Sequence, residues 1–243
     1  MRPDASKKIA KVTPKQGPNP VIIGAVVAFV VIVAVVVAIV LAKPDGGSAG
    51  SAQPKGAVAS DAGGILANAA PAKANAPTLD LYEDFQCPIC GELEKAMGPS
   101  ITSMADAGEI KLVVHTLSFL DDNLSNDSSK RSANAVACAA DAGKFLEYHA
   151  AVFAAQPARE GEGYTDAQLT AFANTAGITG AALTTWQKCA SSGQHATYVV
   201  DTQTAAGKSG VNSTPTVKLN GKDITKTLTT ADALVAAVKA ATK

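Results

Sequence analysis

Cys87-Pro88-Ile89-Cys90 places two thiols one helical turn apart, directly after an apolar stretch with strand character. A helix beginning there would aim its unpaired N–H groups and macrodipole at the first sulfur, which stabilises an anion. Cys87 is then the thiolate, both nucleophile and good leaving group in disulfide exchange. Cys90, a turn further in, is expected to be more buried and to stay protonated until it attacks a mixed disulfide. Pro88 suits the first helical position, where a missing N–H costs nothing. Ile89 follows it and donates no side-chain hydrogen bond. The competing use of C-x-x-C is half of a zinc site. Cys138 and Cys189 would have to complete it, yet metal knuckles usually come as two close pairs and these stand far apart. Neither a metal nor a cofactor is expected.

The chain around the pair is 243 residues long, which suggests one or two domains. Its 21 Lys and Arg balance 21 Asp and Glu, so it lacks the basic surplus that nucleic-acid or lipid-headgroup binding requires. A hydrophobic share of 47% excludes a disordered or collagen-like chain. That apolar mass is unevenly spread. Residues 21–42 read VIIGAVVAFVVIVAVVVAIVLA, without charge or proline, and a helix of this length spans a hydrocarbon core of roughly 30 Å. Arg2, Lys7, Lys8, Lys11 and Lys15 precede it against Asp4 alone, while the near downstream flank has Lys43 answered by Asp45. Positive-inside bias makes residues 1–20 a cytoplasmic tail and sends the rest outside the cell membrane. The run exceeds the roughly 7–15 apolar residues of a cleaved signal core and is read as a single transmembrane anchor. Residues 43–76, rich in Gly, Ser, Ala and Pro, read as a flexible linker, with Ile65-Leu66-Ala67-Asn68 docking weakly if at all.

Residues 77–243 suffice for one well-buried domain. A strand at Leu79–Asp84, a helix from Pro88 through Leu93, Met97, Ile101 and Met104 to Gly108, and a strand at Ile110–Leu117 make a βαβ unit with a parallel pair. A helical block follows, about residues 125–206. Ser128 or Ser129 is read as the cap of a helix carrying Ala133, Val136, Ala137 and Ala140. Beyond Gly143, Phe145, His149, Val152 and Phe153 continue the apolar face. Thr165 and Gln168 have capping-box spacing. A strand at Thr216–Leu219 enters the Asn220-Gly221 hairpin turn, and Thr230 caps a last helix with Leu234, Val235 and Val238. The fold class is α/β, a small sheet interrupted by a helical insertion. His115, His149 and His195 are read as core or surface residues rather than ligands. Cys138 and Cys189 each fall in an insertion helix, and in an oxidising compartment they should pair as a structural disulfide. Closing a loop of about 50 residues is worth roughly 4 kcal/mol. A second redox role for that pair stays open.

Three segments carry a resemblance: Asp84-Phe85-Gln86-Cys87-Pro88-Ile89-Cys90, then Glu147-Tyr148-His149-Ala150-Ala151-Val152-Phe153, then Gly210-Val211-Asn212-Ser213-Thr214-Pro215-Thr216 with the following Asn220-Gly221. Together, over about residues 76–243, they resemble the DsbA-type thiol–disulfide oxidoreductases of the thioredoxin superfamily. The resemblance implies a thioredoxin-like fold with a helical insertion and a cis peptide bond before Pro215. It also implies that an extended substrate pairs with the backbone of Thr214 beside Cys87. For membrane-anchored members it implies reoxidation by a membrane partner of DsbB or VKOR (vitamin-K-epoxide-reductase) type. Two positions depart from the pattern. Many relatives hold His or Tyr where Ile89 stands, so the resemblance makes Pro88 and Ile89 the residues that tune the site, and many hold a buried acid six residues before the first cysteine as a proton relay, where Leu81 stands. Glu83 and Asp84 lie nearer, and either one turned inward would raise the energy of the thiolate.

These readings converge on a membrane-tethered extracytoplasmic oxidoreductase that introduces or exchanges disulfides in exported proteins with free thiols. The alternatives are a tethered reductase serving cytochrome maturation or repair, and a non-catalytic thioredoxin-fold binding module or chaperone.

Overall fold

The computed structural model describes residues 53–58 and 63–242. The tail at 1–20, the apolar segment 21–42 and the linker as far as residue 52 lie outside the described residues. Among the described residues no helix is long and apolar enough to cross a membrane.

In chain order the elements are β1 (Ile65–Leu66), β2 (Thr78–Glu83), α1 (Pro88–Asp106), β3 (Lys111–Thr116), α2 (Leu120–Leu124), α3 (Ser128–Asp141), α4 (Phe145–Ala154), α5 (Asp166–Thr175), α6 (Gly180–Ser192), α7 (Ala196–Lys208), β4 (Thr216–Leu219), β5 (Lys222–Asp223) and α8 (Ala231–Ala241). The strands form one sheet in the order β1-β3-β2-β4-β5. β2 and β3 run parallel, with Leu81 opposite Val114, because α1 crosses over between them. β4 returns antiparallel to β2. Asn220 and Gly221, both at positive φ, then turn it into β5.

Side chains alternate along β2 and sort into two faces. Leu79 and Leu81 join Met97, Ile101 and Met104 of α1 and Leu234 and Val238 of α8 in the main core. Tyr82, on the other face, packs with Leu117, Ala206 and Val211. α7 therefore returns to cover the sheet, and the helical insertion between β3 and β4 runs from Leu120 to Lys208 rather than over 125–206.

The expected flexible linker through Ala76 fails from residue 63 onward. Ile65 is buried and pairs with Val114 on the edge of β3. Asn68 holds the segment down: its Nδ2 donates to the carbonyls of Ala105 (3.0 Å) and Ile110 (2.8 Å), and its Oδ1 accepts from the Leu112 N–H (2.8 Å). Gly64, at φ +98°, passes so close over His115 and Val113 that a Cβ would collide with both. Composition hid this because an edge strand binds through its backbone, whatever side chains it carries.

The serine cap is also corrected. Asp127 is the N-cap of α3 and makes no side-chain capping bond. Asp121 of α2 instead accepts from the N–H groups of Ser129 (2.7 Å) and Lys130 (2.9 Å). The Ser128 hydroxyl is engaged by the Tyr164 N–H and that of Ser129 by Asp84. The Thr165–Gln168 capping box of α5 is formed as read.

Candidate active site

The turn from β2 into α1 sets Cys87 as the N-cap of the helix, in extended backbone, with Pro88 at its first position. Both cysteines are free thiols, Cys87 7% and Cys90 0% exposed, while Ile89 between them is 61% exposed. The loop before β4 meets them from across the sheet. Its Thr214–Pro215 peptide is cis, and the Cys87 thiol donates to the Thr214 carbonyl oxygen at 3.5 Å.

Cys87 is lowered to about 6. The largest cause is a hydrogen bond from the Cys90 thiol; burial opposes it, and the Thr214 side chain and the N–H groups of Cys90 and Ile89 add to it. The N–H groups at the helix start, which the spacing emphasised, act together with the partner sulfur. Cys90 is pushed far above the ordinary thiol range, first by burial, then by its bond to Cys87 and by the charges of Glu83 and Cys87. At neutral pH one sulfur is a thiolate and its partner a thiol. That is the asymmetry disulfide exchange needs.

Both acids near the pair turn inward: Glu83 is 1% and Asp84 0% exposed. Glu83 shares the face of Leu81, two residues along the same strand. Its Oε2 lies 2.9 Å from His149 Nε2, and His149 Nδ1 lies 3.9 Å from Glu94 Oε2. Burial raises Glu83 well above the carboxylate range and lowers His149. Burial, then the charge of Glu83, lifts Glu94 to about 8. Each of the three offers a donor atom within 4.8 Å of the others. They are near enough to hold a cation, but the direct His149–Glu83 contact makes proton sharing the simpler chemistry.

The insertion grips the cysteine loop through a second buried network. Asp84 Oδ1 accepts from the Ser129 hydroxyl (2.6 Å) and the Gln86 N–H (2.9 Å). Burial still raises Asp84 to about 6 against those bonds. Gln86 Nε2 reaches Asp121 and Asn126, each at 2.9 Å. Gln156 Nε2 donates to the carbonyls of Phe85 and Cys87, and the Tyr164 hydroxyl donates to that of Phe85.

Cys87, Pro88, Ile89, Cys90, Thr214 and Pro215 are thus brought together, and Cys138 and Cys189 stand apart from them. The latter two are bonded to each other at 1.98 Å, joining α3 to α6 across a separation of 51 residues. His195, bonded to Asp141 at 2.8 Å, lies beside that bridge. Trp186 is buried in the insertion and donates to the Ala135 carbonyl.

Sequence reasoning did not find the roles of His149, Glu94, Gln156 and Tyr164. The available signal for His149 was its place in the apolar stripe of α4, four residues from Phe145 and from Phe153. An ionisable ring there requires a buried partner.

Residues 72–240 match the family model described as thioredoxin. No curated protein sequence matches the chain. Among solved structures, the chain is similar to reduced DsbA from Mycobacterium tuberculosis, with 29% identity, 70% of this chain and 89% of that chain covered, and a TM-score of 0.58. It is similar to the disulfide bond oxidoreductase DsbG of the same organism, with 29% identity, 70% and 84% covered, and a TM-score of 0.58. BdbD from Bacillus subtilis shares the fold, at 22% identity over 79% of this chain and 97% of that chain, with a TM-score of 0.61.

Proposed function

The chain belongs to the thioredoxin family, and from that premise we propose that it is a membrane-tethered thiol–disulfide oxidoreductase acting on exported proteins through Cys87 and Cys90. The observation that carries the reading is the split of the two thiols, Cys87 lowered to about 6 and Cys90 raised far above the usual range, within one turn of α1. The likeness to structures named as disulfide oxidoreductases supports it.

In the oxidising direction a substrate thiolate attacks Cys87 of the Cys87–Cys90 disulfide. The substrate–Cys87 bond forms, the Cys87–Cys90 bond breaks, and its electron pair stays on Cys90. A second substrate thiolate then attacks the substrate sulfur and releases Cys87 as a thiolate, a good leaving group at its lowered pKa. Thr214, its carbonyl 3.5 Å from the Cys87 sulfur, is the backbone against which an extended substrate pairs. Exposed Ile89 and Pro88 border that surface. Residues 21–42 serve as the anchor, with the domain outside the membrane and a membrane partner of DsbB or VKOR type returning the pair to the disulfide. The bridge between Cys138 and Cys189 serves as a structural staple of the insertion.

The test is to replace Cys90 by Ser and recover exported proteins covalently trapped on Cys87. A titration of the soluble portion against glutathione sets the direction. A potential near about −270 mV, that of thioredoxin, overturns the oxidase direction in favour of the reductase. Substrate binding that persists in a Cys87/Cys90 double serine variant, with no trapped adduct from Cys90→Ser, overturns exchange itself in favour of a binding module.

A further inference from the structure

Gln156 follows the last turn of α4, and its Nε2 carries two hydrogens for two acceptors, the carbonyl oxygens of Phe85 and Cys87, each at 2.9 Å. The side chain is set in place from both sides. Phe153, one turn earlier on the same helix, packs its ring against Phe85 at a centroid distance of 4.9 Å. The Gln156 N–H bonds the Phe153 carbonyl at 3.1 Å, and Pro157 beyond it restricts the Gln156 backbone to extended conformations. Opposite, α1 offers Gly91, where a Cβ would fall on Gln156 Oε1.

Cys87 is the N-cap of α1, at φ −77° and ψ 115°. That conformation turns its sulfur toward the N–H groups of Ile89 and Cys90, both of which stabilise the thiolate. The Cys87 carbonyl is held at the same time, by the N–H groups of Cys90 (3.1 Å) and Gly91 (3.3 Å) within the helix and by Gln156 from outside it. Rotation about ψ of Cys87 would carry the carbonyl away from Gln156 and the helix N–H groups away from the sulfur. Among the described residues, Gln156 is the one side chain that bonds this carbonyl.

Resting on the exchange reading above, we propose that Gln156 is a positioning residue for Cys87: its amide locks the carbonyl, and with it the ψ angle, that keeps the Cys87 sulfur over the head of α1. The amide hydrogen also brings partial positive charge to the residue that bears the thiolate. The reduced state carries that thiolate and the oxidised state does not, so the lock favours the reduced form and makes the disulfide the stronger oxidant. The charged groups around Cys87 stay the same when Gln156 is replaced. Glu83 faces both cysteines from β2 and is paired with His149 of α4, beside Glu94. Asp84 is bound to Ser129 of α3, and the loop before β4 brings Thr214, which is neutral. Glu92 and Lys95 stand exposed on α1.

The test is the thiolate absorbance titration of the reduced full chain, with its equilibrium against glutathione, for the parent, Gln156→Met and Gly91→Ala. Methionine keeps the length of the side chain and offers no donor, and the Gly91 substitution pushes the amide off without altering it. Both should raise the midpoint of the Cys87 step above about 6. Both should also make the disulfide at least about threefold weaker as an oxidant of glutathione, about 15 mV. Gln156→Glu, with an acceptor facing the two carbonyls, should move both readings further in the same direction. Asn68→Ala supplies the comparison, since its bonds lie at the far end of α1; it should lose stability and keep the Cys87 midpoint. Gln156→Met and Gly91→Ala with the parent's midpoint and equilibrium overturn the lock and leave exchange standing. An equal shift in Asn68→Ala overturns it too, because general loosening then accounts for the change. A parent that does not exchange with glutathione overturns the reading on which the lock rests.

Discussion

Gln156, just beyond α4, donates through Nε2 to the Cys87 carbonyl oxygen at 2.9 Å, across a separation of 69 residues. The same nitrogen reaches the Phe85 carbonyl at 2.9 Å. The helical insertion therefore holds the backbone of the cysteine loop directly, and Gly91 makes room for it: a Cβ there would fall on the Gln156 amide.

Replacing Gly91 by Ala should displace that amide and cost what removing it costs. Gly91→Ala and Gln156→Ala should each destabilise the fold by about 0.5–1.5 kcal/mol in urea unfolding, the net worth of a hydrogen bond, because the Phe85 carbonyl keeps the Tyr164 hydroxyl and the Cys87 carbonyl keeps the N–H groups of Cys90 and Gly91. Because both lose the same contact, the double variant should be little worse than either single one. Full additivity would show that the two residues do not act on each other.

The Cys87 thiolate should appear as an ultraviolet absorbance step centred near pH 6 in the reduced protein, and Cys87→Ser should abolish it. Cys90→Ala should move the step upward, because the Cys90 thiol is the largest stabiliser of the anion. The sign for stability follows. A folded pKa of about 6 below an unfolded one of about 8.5 gives the reduced protein stability that is complete above pH about 8.5 and lost as pH falls through 6. The oxidised protein lacks this contribution, so the gap between the two urea midpoints should change in that window in favour of the reduced form as pH rises.

The potential should respond to the same ionisation. Below pH 6 reduction takes up two protons and the midpoint should fall by about 59 mV per pH unit; above it, one proton and about 30 mV. A slope that stays at two protons through pH 8 would mean that Cys87 is protonated there, contrary to its surroundings.

Asn68→Ala removes three hydrogen bonds that join the segment before β2 to Ala105, Ile110 and Leu112. It should destabilise the domain by about 1–3 kcal/mol, the cost of unpaired buried backbone groups. A change within experimental error in the urea midpoint would mean that the segment is the loose linker its composition suggests.

What the sequence determined by itself lies in short windows. The alternation of Leu79 and Leu81, Pro88 at a helix start, the Thr165–Gln168 cap and the Asn220-Gly221 turn each depend on a few neighbouring residues. Local period, cap chemistry and the sign of φ are local properties. They were enough to put Cys87 at the head of α1 and to mark a helical insertion. Only the tertiary structure decided what surrounds that sulfur. Thr214 comes from 127 residues away, His149 reaches Glu83 across 66, and Asn68 reaches Ile110 across 42. The inward turn of Glu83 and Asp84 follows from the same cause. Desolvation and partner distance set whether a carboxyl or a thiol is charged, and both are properties of the assembled core rather than of any stretch of chain.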